Sequence, residues 1–141
     1  MPVKNLRHLP KAHLHLHLEG AMRPATLTEF CARYKIERPS DTRGQQFSNF
    51  TAFNEVYRAA SDSIRTKQDL ARVVLEVAED AAKDGANWIE LAFDADRYTI
   101  LRADRSLRLF ETPYEGWLFA LEAARNAVSY THLRAHETCV H

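Results

Sequence analysis

The sequence predicts an α/β fold with parallel strands, and three observations carry that expectation. Ala12–Leu18 (A-H-L-H-L-H-L) alternates with period two, as a strand does. Trp88–Phe93 (W-I-E-L-A-F) is a second short run of bulky apolar residues. Between them lie three segments of helical periodicity, and a fourth follows. Strands separated by helices are the pattern of crossover connections, which pair strands in parallel.

Taken in order, the first strand places His13, His15 and His17 on one face and Leu14, Leu16 and Leu18 on the other. The leucines are expected to pack on outer helices. Gly20 permits a sharp exit, and Pro24 suits the first helical position, where its missing N–H costs nothing. Leu27, Phe30, Cys31 and Tyr34 then form one apolar stripe. Ile36–Ser48 reads as a loop, and Phe50, Phe53, Val56, Tyr57, Ala60 and Ile64 mark a second helix. The third helix has the strongest signals: Thr66 as N-cap with Asp69 three residues on, a stripe of Leu70, Val74, Val77, Ala78 and Ala81, and Gly85 at the C-terminal end. Arg97–Thr112 is polar and irregular, and Pro113 opens a last helix.

Composition narrows the class. The 141 residues are 45% hydrophobic and 27% charged, enough apolar content for a packed core of one domain. Nineteen basic residues balance nineteen acidic ones, which argues against an electrostatic nucleic-acid footprint. No apolar run reaches the roughly 18 residues of a membrane helix, and the N-terminus lacks a signal-peptide core. Two cysteines make no disulfide framework, so a reducing cytoplasm is the expected compartment.

The seven histidines fall into two groups, at 8, 13, 15 and 17 and at 132, 136 and 141. His-x-His on a strand sets two imidazoles about 7 Å apart at the backbone, close enough to converge on one ion. His15 and His17 end the strand, directly before Glu19 and Gly20. Three inward imidazoles are costly unless hydrogen-bonded or bound to metal, so packed, hydrogen-bonded histidines are the alternative to a metal site.

Leu9–Leu27 (L-P-K-A-H-L-H-L-H-L-E-G-A-M-R-P-A-T-L) resembles the N-terminal motif of the adenosine deaminase family, in the form found in bacterial members. Weaker similarity extends over most of residues 5–127. The resemblance implies the start of a metal-dependent (β/α)8 TIM-type barrel hydrolase, of which this chain holds the first two strand–helix units. It implies Zn2+ as cofactor with His15 and His17 as its first two ligands. Glu19 would accept hydrogen bonds from a ribose, and Gly20 would let the backbone approach it. The family more often has Asp where Glu19 stands. Phe53 and Tyr57 resemble aromatic positions of a lid helix over a purine nucleoside, or are core aromatics at i and i+4. His13 replaces an acidic residue common in relatives and is read as structural. Glu90 is an inward polar residue or a structural hydrogen-bonding group. The reaction implied is hydrolytic deamination at C6 of adenosine or a related 6-aminopurine nucleoside.

A catalytic zinc needs about three protein ligands, and no histidine lies between His17 and His132. The resemblance therefore implies that the later ligands and the proton-shuttling glutamate lie on strands absent here, leaving this chain without catalytic residues of its own. Val128–Thr138 (V-S-Y-T-H-L-R-A-H-E-T) resembles the translated frame of a sequencing adapter, so residues 128–141 are expected to be a non-native tail after a 1–127 barrel segment. The competing view makes His132 and His136, with Cys139 or His141, metal ligands of a small non-catalytic metal- or nucleoside-binding protein.

Overall fold

The computed structural model describes residues 9–99, 104, 107–131 and 134–137, with residues 130, 131 and 134–137 described at the backbone alone. Its elements follow the periodicity. They are β1 (Lys11–His17), a 3-10 turn (Glu19–Ala21), α1 (Pro24–Tyr34), α2 (Phe50–Ser61) and α3 (Lys67–Lys83). Then come β2 (Ala86–Ala92), a second 3-10 turn (Ala95–Tyr98), α4 (Pro113–Thr131) and β3 (Arg134–Glu137). The strands lie in the order β1-β2-β3, and both pairings are parallel.

α3 forms as its sequence dictates. The Thr66 side chain accepts from the Asp69 N–H while Asp69 accepts from the Thr66 N–H, each at 3.0 Å, completing a capping box. Two otherwise orphaned donors are thereby satisfied. Gly85 follows the helix at φ +83°, a left-handed turn that glycine adopts without strain. Leu70, Val73, Val74, Val77, Ala78 and Ala81 are buried and meet Ile89 and Leu91 of β2 in the core. Thr66→Ala removes one half of the box, and an equilibrium urea titration is expected to show a loss of about 1 kcal/mol.

Charged side chains tie α1 to α3 at the rim of that core. Arg23 donates to Asp80 at 2.7 Å and to Glu79 at 2.8 Å. Arg72 reaches Glu76 at 2.9 Å and Glu29 at 2.8 Å. The Arg23 guanidinium holds the Asp80 carboxyl below the usual carboxylate range.

β1 departs from strict alternation. His13 pairs with Ile89 and Leu16 with Leu91, so three steps on β1 oppose two on β2. One extra residue is therefore inserted, a β-bulge centred on Leu14 and His15. His15 adopts φ +54°, a left-handed conformation that histidine tolerates better than most side chains. The bulge reverses the phase of the strand, and it corrects the expected single histidine face. Paired residues of a sheet share a face, so His13 sides with Ile89 toward the helices and His17 sides with Ala92 on the opposite surface.

His13 and Lys11 meet Asp84, just past the end of α3, at 3.4 and 3.3 Å. This placement fits a structural histidine. Leu16 and Leu18 pack on the core as expected, whereas Leu14, carried by the bulge, is 66% exposed.

The expected boundary at Ala127 falls inside α4, which continues to Thr131. A third strand follows and extends the sheet beyond β2. Arg97–Thr112 contributes Tyr98 and Phe110 to the core, despite its polar composition.

Candidate active site

The C-terminal ends of β1 and β2 carry the groups with chemical capacity. The Leu18 N–H still donates to the Ala92 carbonyl at 3.0 Å, after which the chain leaves the sheet through the 3-10 turn Glu19–Ala21. Gly20 sits in that turn without a positive φ, so the expected sharp exit is made by a helical turn. A Cβ added at Gly20 would lie 3.5 Å from a Tyr57 ring carbon and 3.8 Å from the His17 Cβ, ordinary contact distances. The position is small and close to both side chains, and its packing alone does not demand glycine.

The bulge brings the two terminal histidines together. The His15 and His17 rings lie 5.0 Å apart, centroid to centroid, and are nearly perpendicular. Both residues are exposed. Two imidazoles so close form a two-nitrogen donor set of the type zinc accepts. Among the described residues, no cluster of three or more His, Cys, Asp and Glu is gathered to hold an ion. An ion held by this pair would require further donors from elsewhere. Of the second histidine group, His132, Cys139 and His141 lie outside the described residues, and His136 is described only as backbone in β3.

Beside His17 opens a cavity of about 740 Å3, bordered by Glu19, Gly20, Phe53, Tyr57 and Arg38. Its aromatic wall belongs to α2. Asn49 caps that helix by accepting from the Ala52 N–H at 2.9 Å. Phe53 and Tyr57, one turn apart, stand 6.3 Å apart by ring centroid, and Phe47 meets Phe53 edge-on at 5.5 Å. Tyr57 faces His17 in turn at 6.1 Å. Phe53 is partly exposed, and neither ring is fully buried. The wall offers flat, partly solvated faces of the kind that stack on a planar heterocycle.

Glu19 is the most constrained polar group of the site. It is only 2% exposed. The Tyr57 hydroxyl donates to its Oε2 at 2.8 Å, and the Tyr98 hydroxyl donates to its Oε1 at 2.9 Å. Burial pushes its pKa up against the opposing pull of these hydrogen bonds, with Asp94 adding repulsion. Burial, together with the neighbouring Glu19 charge, raises the Tyr57 phenol, which therefore keeps its proton as a donor. Glu90 lies on the β2 surface opposite Ile89, partly buried, and the described residues show no hydrogen bond from its side chain.

The structure thus gathers His15, His17, Glu19, Gly20, Phe53 and Tyr57 at one end of the sheet. Sequence reasoning missed Tyr98 and Asp94. Their signal was position: both follow β2 directly, where strand-to-helix loops of an α/β sheet carry functional groups.

The Adenosine deaminase family model matches residues 10–131. A protein described as a putative adenosine/adenine deaminase from Streptomyces virginiae is 36% identical over 106 residues, covering 70% of this chain and 31% of that protein. An adenine deaminase from Caulobacter vibrioides is 29% identical over 131 residues, covering 89% of this chain and 37% of its own. Among solved structures, adenine deaminase from Arthrobacter aurescens superposes with a TM-score of 0.69 at 22% identity, covering 91% of this chain and 38% of that one. An amidohydrolase from B. ambifaria, solved with bound Zn, also superposes at 0.69 and 22% identity, covering 97% and 38%. These likenesses establish the fold as part of a (β/α)8 barrel. The chain spans about a third of the length of the relatives it matches.

Proposed function

This chain belongs to the adenosine deaminase family, and from that premise we propose that it forms part of a zinc-dependent hydrolase of 6-aminopurines. The substrate class is adenosine or a related 6-aminopurine, from which water displaces ammonia at C6. In this reading residues 1–127 are the barrel segment, 128–141 are an appended tail, and the 141-residue chain alone is inactive. A small-molecule purine is the partner, and the compartment is the cytoplasm. No helix among the described residues is long and apolar enough to cross a membrane.

The observation that carries this reading is the placement of the His15–His17 pair at the end of β1, with His17 bordering an aromatic cavity. Catalytic groups of (β/α)8 enzymes lie at that end of the strands. His15 and His17 would hold the ion, each through a ring nitrogen, leaving further positions to ligands beyond this chain. Zinc bound there would supply a water acidic enough to be hydroxide near neutral pH.

The chain's own residues prepare the substrate. Phe53 and Tyr57 present ring faces against which a purine can lie flat. Tyr57 and Glu19 fix the cavity floor through their hydrogen bond, and Gly20 keeps the backbone accessible beside them.

The test is ammonia release by the full-length protein carrying this chain, assayed on adenine, adenosine and their N6-substituted forms, before and after zinc removal by a chelator. Zinc-dependent release from at least one is expected. Release from none defeats the proposal, and stoichiometric zinc binding without turnover would favour a non-catalytic binding protein.

A further inference from the structure

We propose that Arg97 is a positioning residue for substrate binding: from the turn after β2 its guanidinium clamps the C-terminal end of α2 and so fixes the aromatic wall of the cavity. This rests on the deaminase reading above and adds to it a residue that does not itself border the cavity.

α2 needs such a clamp because it is thinly held. Ser61, its last residue, is the one buried position of the helix. Phe50 is 75% exposed and Phe53 39%, so little apolar area seats the helix on the body of the protein. Ser61, Ser63 and Ile64 are fully buried, which roots α2 at its C-terminal end. Its other end leads from the exposed residues 40–46. Phe53 stands eight residues before Ser61, about 12 Å along the axis. A small tilt at the root therefore moves the aromatic wall by more.

Arg97 acts at the root. Its Nη2 donates to the Arg58 carbonyl at 2.9 Å and to the Asp62 carboxylate at 3.0 Å. The Arg58 carbonyl lies in the last turn of α2, where a cation also meets the negative end of the helix dipole. The Arg97 side chain is 12% exposed, and its Nε is buried without a hydrogen-bond partner. An unpaired buried donor costs free energy. The group thus stabilises the fold less than its two bonds suggest, and what it secures is the placement of α2.

The base of the clamp is firm. Arg97 belongs to the turn Ala95–Tyr98, whose last carbonyl accepts from the Leu109 and Phe110 N–H groups at 2.9 and 3.3 Å. α4 closes on the same turn: a Cβ at Gly116 would lie 3.2 Å from both the Ala95 Cβ and a Phe110 ring carbon. Tyr57, next to Arg58, is bonded to Glu19 in the turn after β1. The segments that follow both strands thus meet α2 at neighbouring positions.

The experiment measures kcat and KM for adenine and adenosine in the full-length protein carrying this chain, unsubstituted and as Arg97→Met. Methionine keeps an apolar stem and removes both bonds. KM is expected to rise about tenfold, the scale of a lost hydrogen bond to a charged group. Because the clamp lies away from the reacting atoms, kcat should stay within about twofold, and zinc content should not change. Hydrogen exchange followed by mass spectrometry should be faster over residues 50–61 of the variant and unchanged over residues 67–83.

Unchanged KM overturns the inference whatever happens to kcat, and so does unchanged exchange over residues 50–61. Should Arg97→Met fail to fold, Asp62→Asn removes the partner charge from the exposed side. It is expected to raise KM about threefold, the scale of a partly exposed ion pair, and no rise there overturns the clamp. No ammonia from either purine defeats the deaminase reading itself, and the exchange measurement then still decides whether Arg97 holds α2.

Discussion

Full-length protein with His15 and His17 both replaced by alanine is expected to lose bound zinc and to release ammonia from 6-aminopurines at least about 100-fold more slowly. Changes to groups that merely support metal ligands cost about 10–100-fold, and removal of the ligands themselves should exceed that. The pair stands 5.0 Å apart at the sheet end with no third metal-binding side chain gathered beside it among the described residues. In the proposed reading these two imidazoles are the donors that the described residues offer to the ion. Metal analysis by mass spectrometry and an ammonia assay check the two halves separately. Each single variant should lower zinc occupancy, and added zinc should restore part of the rate. Full activity with an emptied site would refute the metal role.

The largest stability effect is expected at Phe30. Its side chain is fully buried in α1 and packs with Leu18, Leu70 and Val74 in the core. The Arg33 and Arg72 guanidinium groups lie 5.3 and 5.6 Å from its ring centre. Phe30→Ala opens a cavity and removes both ring contacts, a loss of roughly 3–5 kcal/mol. A urea titration of the 141-residue chain should register it as a fall in midpoint at unchanged slope. A loss below about 1 kcal/mol would mean that α1 is not seated on the core as described.

Local signals made most of the elements legible in the sequence. Pro24 marks the start of α1, and the Thr66–Asp69 box with Gly85 brackets α3, because capping is a contact between near neighbours. The membership of Ala12–Leu18 in a strand was equally plain. Its internal phase was not. A bulge depends on pairing with β2, more than seventy residues away, and periodicity within seven residues cannot show it. The same reason hid Tyr98. Nothing in the polar stretch after Arg97 announces that the tyrosine just before its polar run turns inward to Glu19, 79 residues earlier in the chain. His15, His17, Glu19 and Gly20 are legible as candidates because their motif is contiguous, and Phe53 and Tyr57 because they resemble the aromatic positions of a lid helix; the structure places all six at one end of the sheet.

The extra residue at Leu14 and His15 gives β1 two clients. His13 answers to the helical layer and anchors the strand to Asp84, whereas His17 borders the cavity. A strand of uniform pleat would send His13 and His17 to the same side, and one of these duties would go unmet. The run A-H-L-H-L-H-L is thus not three equivalent histidines, and exchanging one for another in thought or in the laboratory swaps a foundation stone for a tool.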